Sequence, residues 1–491
     1  MSEIIVIIMM KFRNITFMIL AALAFLTACS DDDSFTLSPS RLLTFSADTV
    51  KLDTVFSNVP TITRDFWVYN RSGEGIRCTN IRLERGNQSG FRINVDGTYL
   101  GASVGFQTSD VELRNKDSIR VFVEATTPFN HGDRPQLVED NLLFTLESGV
   151  TQKVNLNAYS WDARLLSNIR ISRDSVLSAV DKPVVIYGGI TVDSAATLTL
   201  AAGSTFYFHA DAGIDVYGRL VAEGTPEANI VLRGDRLDRM FDNLTYDQMS
   251  GQWKGLHFQS SSYGNRLVYT DIHSPFDGIV ADSSDVERMK LEMVCSTIHS
   301  CQGYGLHAIN SRIKLENCQI TNTQNDCLCL DGGWADVNAC TIAQFYPFQA
   351  INFIGNALHF TADRYNLLML SCQNSLITGW GSIQLRGEQG DSATICNYAF
   401  ANCIIRDTTK IENVDTVKLF RNVVFENDSD MTTAYKKHFI VTESSYSYDF
   451  RLDSLSTAID KGDPATAPPI DRNGLPRDER PDIGAFEYKK L

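Results

Sequence analysis

Between Gly278 and Phe425 one short pattern keeps returning: Cys295-Ser296-Thr297-Ile298, Asn317-Cys318-Gln319-Ile320, Ala339-Cys340-Thr341-Ile342, Asn374-Ser375-Leu376-Ile377, Asn402-Cys403-Ile404-Ile405 and Asn422-Val423-Val424-Phe425. The last residues of the first three blocks stand 22 apart and the later intervals are 35, 28 and 20, as for a fixed unit interrupted by loops of variable length. A second apolar run lies between the blocks, as Gly278-Ile279-Val280-Ala281, Gly305-Leu306-His307-Ala308-Ile309, Cys327-Leu328-Cys329-Leu330 and Ala350-Ile351-Asn352-Phe353. Such runs are too short for helices and too regularly spaced for a sandwich. A unit this small cannot bury its own apolar face, so it must stack on copies of itself, each strand pairing in parallel with its equivalent in the next coil.

From Val185 to Glu426 the segment resembles the right-handed parallel β-helix repeats of polysaccharide-active enzymes and bacterial surface proteins. The resemblance implies that Asn317, Asn374, Asn402 and Asn422 lie inward and bond the Asn above and below. The competing reading makes them turn formers tolerant of positive φ. Cys295, Cys318, Cys340 and Cys403 fall at or beside one place in successive coils, the small, apolar, inward setting of a free buried thiol. Cys327 and Cys329 are two apart on one strand and are expected to face the same side, which disfavours a bond between them.

Outside the repeat, the chain of 491 residues has room for two or three domains. A formal charge of −15 argues against a nucleic-acid surface and against adhesion to anionic headgroups. Lys11 and Arg13 precede an apolar stretch, Ile15 to Leu26, too short to span a bilayer, and Leu26-Thr27-Ala28-Cys29 follows. The tetrapeptide resembles the bacterial lipobox, which implies cleavage before Cys29, acylation of Cys29 and a membrane partner through the lipid. Asp31, Asp32 and Asp33 then resemble the acidic signal that sends Bacteroidetes lipoproteins to the outer face of the outer membrane; otherwise the run is a solvated spacer. Tripeptides from Asp48-Thr49-Val50 to Asp453-Ser454-Leu455 look like the O-glycosylation acceptors of such exported proteins.

In chain order the expectation is a signal peptide over 1–29, an acidic tether over 30–34, an Ig-like β-sandwich over 35–161, a connector over 162–184, the β-helix over 185–457 and a cap over 458–491. The fold class is all-β. The sandwich rests on alternation such as Ser118-Ile119-Arg120-Val121-Phe122-Val123-Glu124, with turn clusters such as Asn70-Arg71-Ser72-Gly73. The tail, with Asp471-Arg472-Asn473-Gly474-Leu475-Pro476-Arg477 and Asp482-Ile483-Gly484-Ala485-Phe486-Glu487-Tyr488, matches the ending of Bacteroidetes β-helical proteins called choice-of-anchor Q. It is expected to close the last coil, with Ile483 and Phe486 inserted into its open end. Two long interruptions, Asp235 to Gln252 and Glu426 to Tyr448, mark the first places to seek a ligand.

No complete catalytic set is legible. Lys254, His257, Arg312, Lys314 and Arg386 lie in or beside coil strands, but spacing alone does not make them converge. Arg312-Ile313-Lys314 resembles one element of the polygalacturonases, but the accompanying acidic and histidine elements are missing. His209 and His307 read as structural, and Asp326, Asp331 and Asp336 as turn formers rather than cation ligands. The expectation is therefore a surface lipoprotein whose β-helix binds carbohydrate or cell-envelope partners without catalysis, with no cofactor and no metal. The alternative is a polysaccharide lyase or glycoside hydrolase whose groups meet only in three dimensions. Tyr246, Trp253, Trp334, Tyr346 and Trp380 are the candidates for stacking on sugar rings. Protein partners are not legible.

Overall fold

The computed structural model describes residues 34–241, 243–348, 354–390, 393–407, 419–426, 437–440, 446 and 448–489; Cys29, Asp31, Asp32 and Asp33 lie outside them. The described chain is all-β and divides into two compact units, one of residues 34–52, 58–128 and 137–158, the other of 53–57, 129–136 and the described residues from 159 onward.

The first unit carries two antiparallel sheets. One orders Thr44–Phe45, Arg64–Tyr69, Ser118–Ala125, Phe91–Val95 and Thr98–Tyr99. The other is built on Ile76–Leu83 and Gln136–Leu146, paired antiparallel. The alternation of Ser118–Ala125 sends Ile119, Val121, Val123 and Ala125 inward and its polar residues out. Phe45 of the first sheet meets Phe144 of the second at a ring separation of 5.1 Å.

The second unit is a parallel β-helix. Three strands per coil feed two long parallel sheets, of 18 and 10 strands among the described residues. The register follows the repeat residue for residue: Ile298 pairs with Ile320, Ile320 with Ile342, Ile342 with Ile377, Ile377 with Ile405 and Ile405 with Phe425. All but Phe425 are fully buried, and together they line the continuous core. The second run stacks likewise from Ile279 through Leu306 and Leu328, but its next member is Leu358. Ala350–Phe353, the expected member, lies outside the described residues.

The stretch expected as a connector is the first coil. Arg164–Ile171 pairs in parallel with Val184–Val192, and Ser175–Leu177 with Thr197–Leu200. With a neighbour coil on one side only, it keeps polar and half-exposed residues that hide its strand character in the sequence.

The Asn ladder does not form inside the coils. Asn317, Asn374, Asn402 and Asn422 all hold φ between 48° and 53°, the left-handed corner conformation that Asn tolerates, and Cys295 and Ala339 hold 47° and 51° at the equivalent corners. The inward place falls one residue later, on Cys318, Cys340, Ser375 and Cys403. Cys295 instead donates its thiol outward to Asp471 O at 3.6 Å. The side chains of three of these Asn turn toward the tail: Asn317 Nδ2 donates to Ile470 O at 2.8 Å, Asn374 Nδ2 to Thr466 Oγ1 at 3.1 Å and Asn402 Nδ2 to Asp463 Oδ2 at 3.4 Å. Among the described residues one bond joins two of these four Asn, from Asn422 Nδ2 to Asn402 Oδ1 at 3.2 Å, while Asn374 Nδ2 also donates to Asn338 Oδ1 at 3.0 Å.

The tail accordingly is a lateral strap, not an end cap. It runs along the Asn corner from Asp463 at Asn402 to Arg472, which bonds Asp271, Thr297 and Asn229, and then returns to place Ala485 N on Thr341 Oγ1 at 3.0 Å. Ile483 and Phe486 cover Ala343, Leu376 and Ile404 on the outside of the large sheet rather than the open end of the last coil. Those outward apolar residues would otherwise face water.

Within the strap Arg477 and Glu487 form a buried ion pair at 3.1 Å, with side chains 2% and 4% exposed. Beside it the Asp482 carboxyl is pushed up to about 6, by burial first and then by Glu487, against backbone N–H donors and Arg477. A folded pKa above the unfolded value means that folding takes up a proton here. The stability tied to this group is therefore present below about pH 4 and lost as pH rises through about 6, to a total of about 3 kcal/mol. Urea midpoints measured between these pH values should fall for the native chain relative to Asp482→Asn, and parallel profiles would refute the assignment.

Candidate functional site

One register row of the large sheet runs Asp215, His257, Val280, His307, Cys329, His359 and Arg386 through successive coils. Its neighbours in the strands, Leu306, Ala308, Leu328, Leu330, Leu358 and Phe360, point into the core, so alternation turns the row outward. Neighbouring members are stacked at the strand spacing of about 4.8 Å.

Four successive coils of this row wall a cleft of about 310 Å³, with Tyr304 and His307 from one, Asp326, Cys329 and Asp331 from the next, Asn356 and His359 from the third and Arg386 from the fourth. His307 Nε2 lies 2.9 Å from Asp331 Oδ2, and His359 Nδ1 3.1 Å from Asp326 Oδ2. The Tyr304 ring packs on His307 at 4.6 Å between centroids. Asp326 is held by Asn356 N at 2.6 Å, and Asp277 holds Tyr304 N at 2.8 Å. A β-carbon at Gly355 would sit 2.2 Å from Asn325 C, so only glycine lets the loop carrying Asn356 close against Asp326.

The hydrogen bond to Asp326, helped by the charges of Asp326 and Glu388, raises the pKa of His359 despite its burial. Burial, with the Cys329 thiol and three carboxyls nearby, raises that of Tyr304 and keeps its hydroxyl protonated. Burial, with Asp331 and Asp326, also raises the Cys329 thiol. A carboxylate accepts only, so Nε2 is the His307 nitrogen that donates to Asp331 and Nδ1 is the one turned to other use. The arrangement thus offers an oriented imidazole, a protonated phenol, a second imidazole and a guanidinium on one wall, which is the equipment of proton transfer next to an anionic group.

The aromatic candidates do not gather into a platform. Trp253 is 1% exposed and stacks on Phe208 at 4.4 Å inside the core, so it cannot meet a sugar. Tyr346 is 4% exposed and its hydroxyl is spent on Ser250 at 2.7 Å. Tyr246 has one face covered by the Arg236 guanidinium at 3.4 Å, and Trp380 sets its edge against Phe345. Trp334 is half-buried on the smaller sheet, bonded to Asp336 and covered by Arg312. Arg312 and Lys314 point outward there, with Lys314 paired to Glu292 at 3.2 Å.

The interruption from Asp235 to Gln252 closes over another part of the large sheet. Its Asp247 bonds His273 at 3.2 Å and Arg233 at 3.1 Å, while the His273 and His299 rings stack at 4.3 Å. Although burial opposes its charge, His273 and Arg233 hold the Asp247 carboxyl well below the usual range. Burial and His273 bring His299 down to about 3, so it stays neutral. The side chains of this group are engaged with one another and with nearby backbone, Arg233 also reaching Arg236 O and His299 Nδ1 reaching Ser300 Oγ, which makes it a plug that seats the loop. Of the interruption from Glu426 to Tyr448, residues 427–436, 441–445 and 447 lie outside the described residues. His438, at its edge, is buried between Glu426 and Ser456, each at 3.0 Å.

Sequence reasoning passed over Tyr304, His359 and Cys329 as site residues and read His307, Asp326 and Asp331 as structural. One signal was present: His307 and Cys329 are 22 apart, the same step that separates Ile298 from Ile320.

No family model and no curated protein matches the chain. Among solved structures it is similar to the Agl-KA catalytic domain at 11% identity, over 74% of this chain and 79% of that one, with a TM-score of 0.19. The VesB protease of Vibrio cholerae is matched at 12% identity over 24% of this chain and 31% of that one, TM-score 0.16. A family 123 glycoside hydrolase from Clostridium perfringens is matched at 6% identity over 24% and 26%, TM-score 0.17, so the chain spans about a third or less of these two proteins.

Proposed function

We propose that the β-helix binds a uronate-bearing polysaccharide in the Tyr304–Arg386 cleft and cleaves it by elimination. The observation that carries this reading is the convergence, from successive coils, of His307 oriented by Asp331 with Tyr304, His359 and Arg386. His307 Nδ1 takes the C5 proton, Arg386 faces the uronate carboxylate as charge develops on it, and the Tyr304 hydroxyl protonates the departing O4. The products are a new reducing end and an unsaturated uronate. Hydrolysis fits less well, because Asp326 and Asp331 are each engaged by an imidazole and neither is free as the acid a hydrolase needs. Binding without cleavage is weakened by the burial of Trp253 and Tyr346. The test is incubation of the purified chain with uronate-bearing and neutral polysaccharides. Release of unsaturated products supports the reading, whereas retention without products returns the protein to a binding role.

The resemblance of Leu26 to Cys29 to a lipobox supports a cell-envelope location for this chemistry in the same proposal, with Cys29 acylated and Asp31 to Asp33 directing the protein to the outer surface. Cys29→Ala should move it from the membrane to the soluble fraction; continued membrane retention would overturn the anchor.

A further inference from the structure

We infer that Asp326, Cys329 and His359 form a binding site for a divalent ion of the zinc class. One ligand atom from each lies within 4.8 Å of the others, and His307, from the preceding coil, and Asp331, from the same strand as Cys329, stand in the same relation to Cys329. Cys329 is thus the shared member of two overlapping groups, flanked in register by a histidine on each side.

The thiol itself points to this use. Cys318, Cys340 and Cys403, inside the coils, each donate to a backbone carbonyl at 3.3 Å. Cys329 is outward, lines the cleft, and among the described residues makes no hydrogen bond. His359 Nε2 is likewise buried without a hydrogen-bond partner, while Nδ1 is held by Asp326. A thiolate, an imidazole and a carboxylate suit zinc or cobalt and disfavour calcium and magnesium, which take oxygen ligands. Binding displaces the thiol proton to solvent, and the ion's charge then holds the thiolate.

The ion also answers a difficulty of sign. Asp277, Asp326, Asp331 and Glu388 surround the cleft, and Arg386 is already paired with Glu388, so an anionic sugar meets an acidic wall. A bound divalent ion offsets part of that negative charge and offers the uronate a second cation. This role rests on the polysaccharide reading above, whereas the metal site stands on the side chains alone.

The experiment is titration of the chelator-stripped full chain with Co²⁺ and Zn²⁺ in the absence of any glycan, so that its failure is separate from a failure of the cleavage assay. One ion per chain is expected, with a thiolate-to-cobalt charge-transfer band in the near ultraviolet that Zn²⁺ abolishes and equimolar Ca²⁺ does not. Cys329→Ser should remove the band, and His359→Gln should weaken binding at least about 10-fold. Asp336→Asn, away from the group, should change neither. Absence of the band in the native chain, its persistence in Cys329→Ser, or displacement of Co²⁺ by equimolar Ca²⁺ would each overturn the assignment. The native spectrum decides even where a variant fails to fold.

Discussion

Ile342→Asp should unfold the β-helix or lower its stability by about 4 kcal/mol at pH 7. Ile342 is fully buried and stacked between Ile320 and Ile377, so an aspartate there has coils above and below and no water. The least costly response is to keep the carboxyl protonated. Holding a group of ordinary pKa near 3.9 neutral at pH 7 costs about 4 kcal/mol, before the lost packing is added. Against a total stability of about 5–15 kcal/mol this decides whether the coils hold. Ile342→Val removes one methyl and should cost only about 0.5–1.5 kcal/mol. Urea unfolding followed by circular dichroism checks both, and an unchanged midpoint for the aspartate variant would show that the repeat does not face inward.

His307→Ala should reduce kcat on a cleaved uronate polysaccharide by about 100-fold to 10,000-fold while leaving the unfolding free energy within about 1 kcal/mol of native, since the side chain lies on the outer face of the sheet. Tyr304→Phe should lower kcat in the same way, because it removes the leaving-group proton but keeps the ring against His307. Arg386→Gln should act mainly through KM, as a group that meets the substrate's charge before reaction. Equal kcat for native and His307→Ala protein would remove His307 from the reaction.

The outline of the β-helix was written in the sequence, because stacking in register forces equivalent residues to recur. The intervals of 22, 35, 28 and 20 are the pairings of Ile298 through Phe425 themselves. Alternation in Ser118–Ala125 similarly announced a half-buried antiparallel strand. Legibility failed where a coil has one neighbour, as in Arg164–Ile171, and at the corners, where positive φ selects Asn for its backbone tolerance and leaves its side chain to the strap.

The cleft belongs to the second kind of information. Cys329 and His359 are 30 residues apart, and His359 and Arg386 are 27 apart, yet they are immediate neighbours in the sheet. Outward residues obey no apolar period, so an inserted loop conceals their alignment while the buried isoleucines still reveal theirs. The sequence by itself therefore determined the stacked parallel coils, through the periodic demand for buried apolar side chains. Only the tertiary structure decided that Tyr304, His307, Asp326, Cys329, His359 and Arg386 share one wall, and that the tail lies along the coils, because both depend on register across loops of unequal length.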